Sequence, residues 1–115
     1  MRILVNAKPK MYGEAIALAL HKYRPEAEVM LISAESLDGE IGSFRPHLIL
    51  HNDNVRIAPE ELERVVCRIE ILFSDGMDAR IIMSGQAVSK EDMSLEEMFS
   101  VVDEVEKLVL GETPG

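Results

Sequence analysis

The sequence predicts an α/β fold in which helices cover both faces of a mostly parallel β-sheet. Short aliphatic, β-rich runs alternate with segments of helical periodicity over the first half of the 115-residue chain. Such alternation is typical of parallel sheets, because each crossover between parallel strands needs a connecting segment, usually a helix. The stretch 69–85, IEILFSDGMDARIIMSG, instead predicts two strands around a tight turn. We therefore expect a single domain, 1–115, built as a three-layer sandwich of five strands, the last one antiparallel, and about four helices.

The first half of the chain is predicted to supply three strands and two helices. The strands are the aliphatic runs 2–5, 28–32 and 47–50. The helices are 11–23, which Pro25 ends, and 36–44, which two glycines make short or irregular. In the first helix the apolar residues recur at helical spacing, at Tyr12, Ile16, Leu20 and Tyr23. The order β-α-β-α-β predicts that these three strands run parallel.

A third helix is predicted to begin at Pro59, because proline followed by two acids suits the first turn of a helix. Its apolar face would consist of Leu62, Val65, Val66 and Ile69. Cys67 lies within this segment, and we expect it to be a buried structural thiol.

The predicted hairpin has two possible turns. A three-residue loop, 75–77, places the apolar residues of both strands on one face. These residues are Ile69, Ile71, Phe73, Ala79, Ile81 and Met83. A two-residue Asp-Gly turn places Phe73 opposite Asp78, so the three-residue loop is favoured.

The last helix carries the clearest start signal in the chain. Ser94 and Glu97 match a capping box, and Met93 with Met98 can form a hydrophobic staple. The apolar stripe that follows comprises Leu95, Met98, Val102, Val105 and Val109. Gly111 is expected to end the helix, and residues 112–115 are expected to form a disordered tail.

Composition and charge exclude several classes of function. The net charge of −9 argues against binding to nucleic acid or to an anionic membrane, since both require a cationic surface. Residues 91–112 contain eight acids and one base, which predicts a solvated helix face or, alternatively, a surface that selects a basic partner. A single cysteine allows no internal disulfide, and no apolar run approaches 18 residues. We expect a cytoplasmic protein.

Two motifs at the ends of strands resemble the receiver domain of bacterial response regulators, which has a flavodoxin-like fold. Receivers begin with an aliphatic strand and an acidic pair, and here the stretch ILVNAKP has Asn6 and Ala7 in the places of that pair. The third strand of the family ends in the phosphoacceptor aspartate, and here PHLILHN has Asn52 in its place. The hydroxyl residue that ends the fourth strand would be Ser74, or Ser84 if IIMSG is that strand. The resemblance implies the strand order 2-1-3-4-5 and a degenerate receiver, or pseudo-receiver.

The degenerate positions predict a domain that is not an enzyme and holds no cofactor or metal. Phosphoryl transfer to a carboxylate needs a nucleophilic oxygen and a divalent cation with anionic oxygen ligands. Asn52 offers a neutral amide, while Asn6 and Ala7 supply no charge. Lys8 adds a positive charge to the same loop, which disfavours a cation further.

Two alternatives stay open beside a signalling domain that acts through an unknown protein partner or as a homodimer. Asp53 follows Asn52 directly and is an alternative phosphoacceptor, although a turn residue that bonds the following backbone is the simpler interpretation. The loops after the first and third strands are an alternative site for a small molecule or an anion. Its candidate residues are Asn6, Lys8, Lys10, Asn52 and Asp53, with both lysines at the predicted N-terminus of the first helix.

The remaining polar residues predict no metal site. His47 and His51 lie four residues apart on one strand, roughly 13 Å by strand rise, which is too far to share a metal. His21 is placed near the end of the first helix, where the helix dipole favours a cation. Asp75 and Asp78 flank the predicted turn, and such a turn needs no ligand.

Overall fold

The computed structural model of this chain describes residues 1–8, 10–32, 37–52, 57, 59–62, 65–72 and 78–110. These residues form a mixed α/β fold around one six-stranded sheet. The strands are β1 (Arg2–Asn6), β2 (Glu28–Leu31), β3 (Leu48–Asn52), β4 (Cys67–Ile71), β5 (Ala79–Met83) and β6 (Gln86–Lys90). The helices are α1 (Lys10–Tyr23), α2 (Leu37–Phe44) and α4 (Leu95–Val109), together with a single helical turn, α3 (Pro59–Leu62).

The strands lie in the order β2-β1-β3-β4-β5-β6. β1 pairs in parallel with β2 and with β3, and β3 pairs in parallel with β4. β5 is antiparallel to β4, and β6 is antiparallel to β5. The predicted order of the first five strands and the antiparallel fifth strand are therefore confirmed. The predicted count of five strands is wrong, and the described residues contain three helices longer than one turn rather than about four.

The sixth strand, which the sequence did not predict, follows a two-residue turn. Ser84 and Gly85 both have positive φ, 55° and 77°. Two consecutive residues of this kind make the hairpin turn whose twist matches that of the flanking strands. The turn reverses the chain directly after Met83, so residues 86–90 pair with β5 instead of leaving the sheet.

Two apolar clusters show that helices pack on both faces of the sheet. The larger cluster joins β1, β3, β4 and β5 to α1 and α4. Its helical members are Ile16, Leu20, Met98, Val101, Val102 and Val105. The smaller cluster joins Leu4 and Ile49 of the opposite face to Ile41 of α2. β1 and β3 are thus covered on both sides, as their uninterrupted aliphatic sequences predict.

The third predicted helix is wrong beyond its first turn. Cys67 and Ile69 belong to β4, where they pair with Leu48 and Leu50. The segment 67–71, CRIEI, also alternates apolar and polar residues with the period of a strand, and pairing with the buried β3 favours that alternative. Cys67 is nevertheless buried, as expected, and burial raises the pKa of its thiol to about 12. The thiol is therefore protonated and unreactive at neutral pH.

The β4–β5 hairpin has the predicted shared face but a different register. Ile69 pairs with Ile81 and Ile71 with Ala79, all four on the face that packs against α1 and α4. A three-residue loop would have paired Ile71 with Ile81. The pairing extends to Leu72, whose N–H donates to the carbonyl of Asp78 at 2.9 Å. Phe73, Ser74 and the residues 75–77 lie outside the described residues.

The predicted capping box at the start of α4 is confirmed. The N–H of Glu97 donates to the Ser94 hydroxyl at 3.1 Å, and the N–H of Ser94 donates to the Glu97 carboxylate at 3.0 Å. These hydrogen bonds to Ser94 lower the pKa of Glu97. The predicted stripe is buried at Met98, Val102 and Val105, whereas Leu95 at its start is exposed. Gly111 and the predicted tail, 112–115, lie outside the described residues.

A polar cluster joins the end of α1 to the outer part of α4. Arg24 forms ion pairs with Asp103 and, at 3.5 Å, with Glu106. The Tyr23 hydroxyl donates to Asp103 at 2.7 Å, a hydrogen bond that raises the pKa of Tyr23. The Tyr23 ring stacks on Phe99 with a centroid distance of 4.1 Å. Part of the acidic face predicted in 91–112 is therefore neutralised within the chain.

Gly13 allows α1 to approach the loop that follows β1. A Cβ atom at this position would lie 2.7 Å from the carbonyl oxygen of Ala7 and 3.1 Å from Cδ1 of Leu31. A Cβ atom does not fit 2.7 Å from a carbonyl oxygen. Since this oxygen belongs to the backbone, the contact can be relieved only by moving α1 or the loop. The close packing of α1 against this loop therefore depends on the absence of a side chain at residue 13.

Gly13→Ala is expected to lower the free energy of unfolding by roughly 1–3 kcal/mol, because the added methyl group forces α1 away from Ala7. Urea denaturation measures the change. Gly39→Ala in α2 is the matched control, since a Cβ there meets nothing within 4 Å among the described residues. The control is expected to gain up to about 1 kcal/mol from helix propensity. Equal effects of the two substitutions would contradict the close packing of α1.

Candidate functional site

Three polar side chains are buried where β1 and β3 end. β1 and β3 run parallel and end at the same edge of the sheet, with Asn6 in register with His51 and Asn52 following it. All three are nearly inaccessible, at 2% for Asn6 and 1% for His51 and Asn52. They are the only buried polar side chains among the described residues. Burial without partners would be costly, so their contacts show what each one does.

The structure divides these residues between the two faces of the sheet. Side chains alternate along a strand, and Leu4 and Ile49 belong to the cluster on the α2 face. Asn6 and His51, two residues further on in each strand, therefore face the α2 side. Asn52 follows Leu50 on the opposite face, with α1 and α4. Asn52 and Asn6, which the resemblance predicts in the places of the phosphoacceptor and the first acid, thus lie on opposite faces.

Asn52 holds the loop that follows β1. The backbone N–H of Lys8 donates to Oδ1 of Asn52 at 2.7 Å. This bond joins residues 44 positions apart and draws the chain after β1 across the end of β3. The amide nitrogen of Asn52, Nδ2, is buried and has no hydrogen-bond partner among the described residues. The oxygen of the amide is therefore bonded within the protein, whereas its nitrogen is a donor without a partner among the described residues.

Asn6 makes a corresponding contact to the neighbouring strand on the other side. Its Nδ2 donates to the carbonyl oxygen of Ile32, directly after β2, at 3.1 Å. The backbone supports the same junction, since the N–H of Ile32 donates to the carbonyl of Val5 at 3.0 Å. Asn6 therefore ties the end of β2 to the end of β1.

His51, in β3, and His47, directly before that strand, occupy different environments, as their predicted separation requires. Nδ1 of His51 lies 2.8 Å from the carbonyl oxygen of Asn52, and because a carbonyl only accepts, Nδ1 carries the proton. His47, at the opposite edge, accepts a hydrogen bond from the backbone N–H of Arg2 at 3.0 Å. Burial lowers the pKa of His47, with smaller contributions from Arg2 and the N-terminal amino group. Both contacts are structural.

The lysines predicted to bind an anion do not form a pair of free charges. Nζ of Lys10 lies 3.9 Å from the Glu14 carboxylate, one helical turn along α1, and both side chains are exposed. Lys8 contributes its backbone N–H to Asn52, while its residue is exposed. The basic character of the loop is thus partly offset by Glu14.

None of the other polar residues predicted for the site is placed next to Asn52 among the described residues. Ser84 lies in the β5–β6 turn, next to Met83, which pairs with the first residue of β4. It therefore lies at the opposite edge of the sheet from Asn52. Asp53 and Ser74 lie outside the described residues, and so does Asp75. Asp78 accepts the backbone N–H of Asp92 at 3.1 Å, which is a structural use of its carboxylate.

The described residues contain no group of three or more His, Cys, Asp or Glu side chains placed to hold a metal ion. None of their helices combines the length and apolar character needed to cross a membrane.

Asn52→Ala is expected to lower the free energy of unfolding by roughly 1–3 kcal/mol, because the Lys8 N–H loses its acceptor. Amide hydrogen exchange gives the specific readout, since the Lys8 N–H should exchange faster in the variant. Gln86→Ala, which truncates an exposed amide on β6, is the control and should change stability by less than about 0.5 kcal/mol. An unchanged exchange rate at Lys8 would show that the Asn52 contact does not hold the loop.

The chain was compared with protein-family models, with curated protein sequences and with solved structures. None of the three comparisons found a match.

Proposed function

We propose that this chain is a receiver-like regulatory domain without enzymatic activity, which acts through protein contact and lacks the aspartyl phosphorylation site. The observation that carries the proposal is the state of Asn52. Its side-chain oxygen, at the place of the phosphoacceptor, accepts the N–H of Lys8, and only 1% of the residue is exposed. The order β2-β1-β3-β4-β5 within the sheet agrees with the resemblance in the strand-end motifs.

The chemistry at Asn52 opposes phosphoryl transfer in two ways. A neutral amide oxygen is a poor nucleophile, and a lone pair of this oxygen is already engaged with Lys8. The neighbouring positions offer no compensating anion, since Ala7 is apolar and Asn6 faces the other side of the sheet with its Nδ2 bonded to Ile32. A cation that bridges phosphoryl oxygens needs anionic ligands at this edge. The contacts of Asn6 and Asn52 instead stabilise the loops.

A domain of this kind would work through its surface. The side chains that a receiver would use for phosphorylation here connect β1 to β2 and to β3, which favours one fixed arrangement of the edge. The outer face of α4 keeps acids such as Glu96 and Glu104 exposed beyond those that Arg24 neutralises. A constant surface suits a partner that recognises the domain without a phosphorylation signal.

Incubation with acetyl phosphate and Mg²⁺, followed by intact mass measurement, tests the absence of the phosphorylation site. The native chain is expected to show no stable adduct of about 80 Da, the mass of one phosphoryl group. A conventional receiver domain in the same reaction is the positive control. An adduct that disappears in Asp53→Asn would overturn the proposal in favour of an atypical phosphoacceptor at Asp53.

We propose binding of a small anion at the same edge as the second candidate function. The observation that favours it is Nδ2 of Asn52, a buried donor without a partner among the described residues. It lies where the loop after β1 leads into α1, whose first-turn residues 10–13 include no acid. A helix N-terminus and a free amide donor both suit an anion. Lys8 and Lys10 would add positive charge at the rim.

A thermal-shift titration with inorganic phosphate and with nucleotides tests this candidate. Binding to the folded chain is expected to raise the Tm progressively with millimolar ligand. The increase should be lost in Asn52→Ala, compared with that variant's own ligand-free Tm, and retained in Gln86→Ala. A Tm that stays constant for the native chain would exclude the anion site.

A further inference from the structure

The outer strand of the sheet, β6, is exposed on both of its faces. All five residues from Gln86 to Lys90 are exposed, and among the described residues β6 pairs only with β5. Val88, at its centre, is half exposed at 50% and lies opposite Ile81, on the face of the larger apolar cluster. A strand in this position presents unpaired backbone groups and an apolar side chain together.

The register shows which backbone groups of β6 point away from the sheet. The Leu72 N–H donates to the Asp78 carbonyl, so Asp78 and every second residue after it direct their backbone groups towards β4. Ala79, Ile81 and Met83 therefore face β6, and their partners Lys90, Val88 and Gln86 face back towards β5. The two-residue turn gives the same result, since the residues that flank such a turn bond to each other. Ala87 and Ser89 are left with their N–H and C=O groups directed outwards.

β6 lacks the features that usually block pairing at a sheet edge. Edge strands are commonly protected by proline, a bulge, or a charge in the middle of the strand. β6 pairs with β5 without interruption, so it has no bulge, and its three central residues are Ala87, Val88 and Ser89. Its one charge, Lys90, stands at the end of the strand and lies 3.7 Å from Glu97 of its own chain.

A second β6 complements this edge when the two strands run antiparallel about Val88. Ala87 of each copy then faces Ser89 of the other, and both residues have the outward backbone groups that such a pair exchanges. Val88 faces Val88 across the two-fold axis, as a non-hydrogen-bonded pair whose side chains approach most closely. Lys90 faces Gln86, so no like charges are opposed.

We propose that β6 is a homodimer interface, through which two copies join their sheets edge to edge. This contact between two copies would be the protein contact through which the proposed regulatory function acts, and it rests on the proposed function in that respect alone. A five-residue strand buries less than the roughly 1,200 Å² of a stable interface, so the dimer is weak and exchanges readily. Each copy carries a net charge of −9, and salt should therefore strengthen the association.

Disulfide trapping tests both the interface and its register. In Val88→Cys the two introduced thiols would lie on Cα atoms about 4.5 Å apart, within the roughly 4.4–6.8 Å that a disulfide spans. Gln86→Cys is the matched control. Gln86 is an exposed residue of the same strand, but in the proposed dimer it faces Lys90 of the second copy and not its own counterpart. Oxidised glutathione should give at least about tenfold more covalent dimer with Val88→Cys. Cys67 should not interfere, since it is buried and its pKa is raised to about 12.

Equal yields of covalent dimer from the two cysteine variants would overturn the proposed register. Sedimentation velocity on the native chain, over about 10 µM to 1 mM in high salt, tests the interface without substitutions. The average mass is expected to rise from 12.9 kDa towards twice that value. Ser89→Pro, which removes an outward N–H, should abolish the rise, and Ser89→Ala should preserve it.

A native chain that stays monomeric over the whole range would overturn the proposal, whether β6 is then unpaired or takes a strand of another protein. The result is independent of the phosphorylation test. A dimer with a phosphoryl adduct would refute the proposed function alone, and a monomer without an adduct would refute the interface alone.

Discussion

The pairing of β1 with β3, buried on both faces, is the constraint on which the rest of the structure depends. Val5 lies beside Leu50 and Leu4 beside Ile49, and none of the four is accessible to solvent. Two fully buried aliphatic strands require cover on both sides, which α1 and α4 provide on one face and α2 on the other. The approach of α1 at Gly13 and the long span of the Arg24 ion pairs both follow from this requirement.

The same constraint explains why polar side chains are buried at the carboxyl edge. Both strands end in polar residues that are still inside the sheet, so the side chains there must find partners within the protein. Asn52 bonds to the Lys8 backbone and Asn6 to that of Ile32. An edge that in other α/β proteins carries reactive groups here uses its polar atoms to hold neighbouring loops. The proposed role in protein contact is consistent with that use.

The sequence predicted the elements whose signals are local or unambiguous. The aliphatic runs of β1 and β3, the period of α1 and the capping box of α4 were each sufficient without knowledge of their neighbours. Two elements depended on tertiary context. The segment 65–71 fits both a helical stripe and a strand alternation, and pairing with β3 decides between them. The residues of β6 have no strong strand preference and pair because the Ser84-Gly85 turn returns them to β5.

At the candidate site the positions of Asn6 and Asn52 at strand ends were predictable, but the Lys8 contact was not, since it depends on the path of a loop backbone.

The cluster of Tyr23 and Arg24 with the acids of α4 has a consequence for the order in which the molecule is assembled. Asp103 lies 80 residues from Tyr23 and 79 from Arg24 along the chain. Since α4 also contributes Met98, Val102 and Val105 to the larger core, the face of β1 and β3 that it shares with α1 is only partly covered until α4 docks. Until α4 docks, the parts of β1 and β3 that it covers therefore stay accessible to solvent, and exposed apolar strands of this kind favour aggregation during folding.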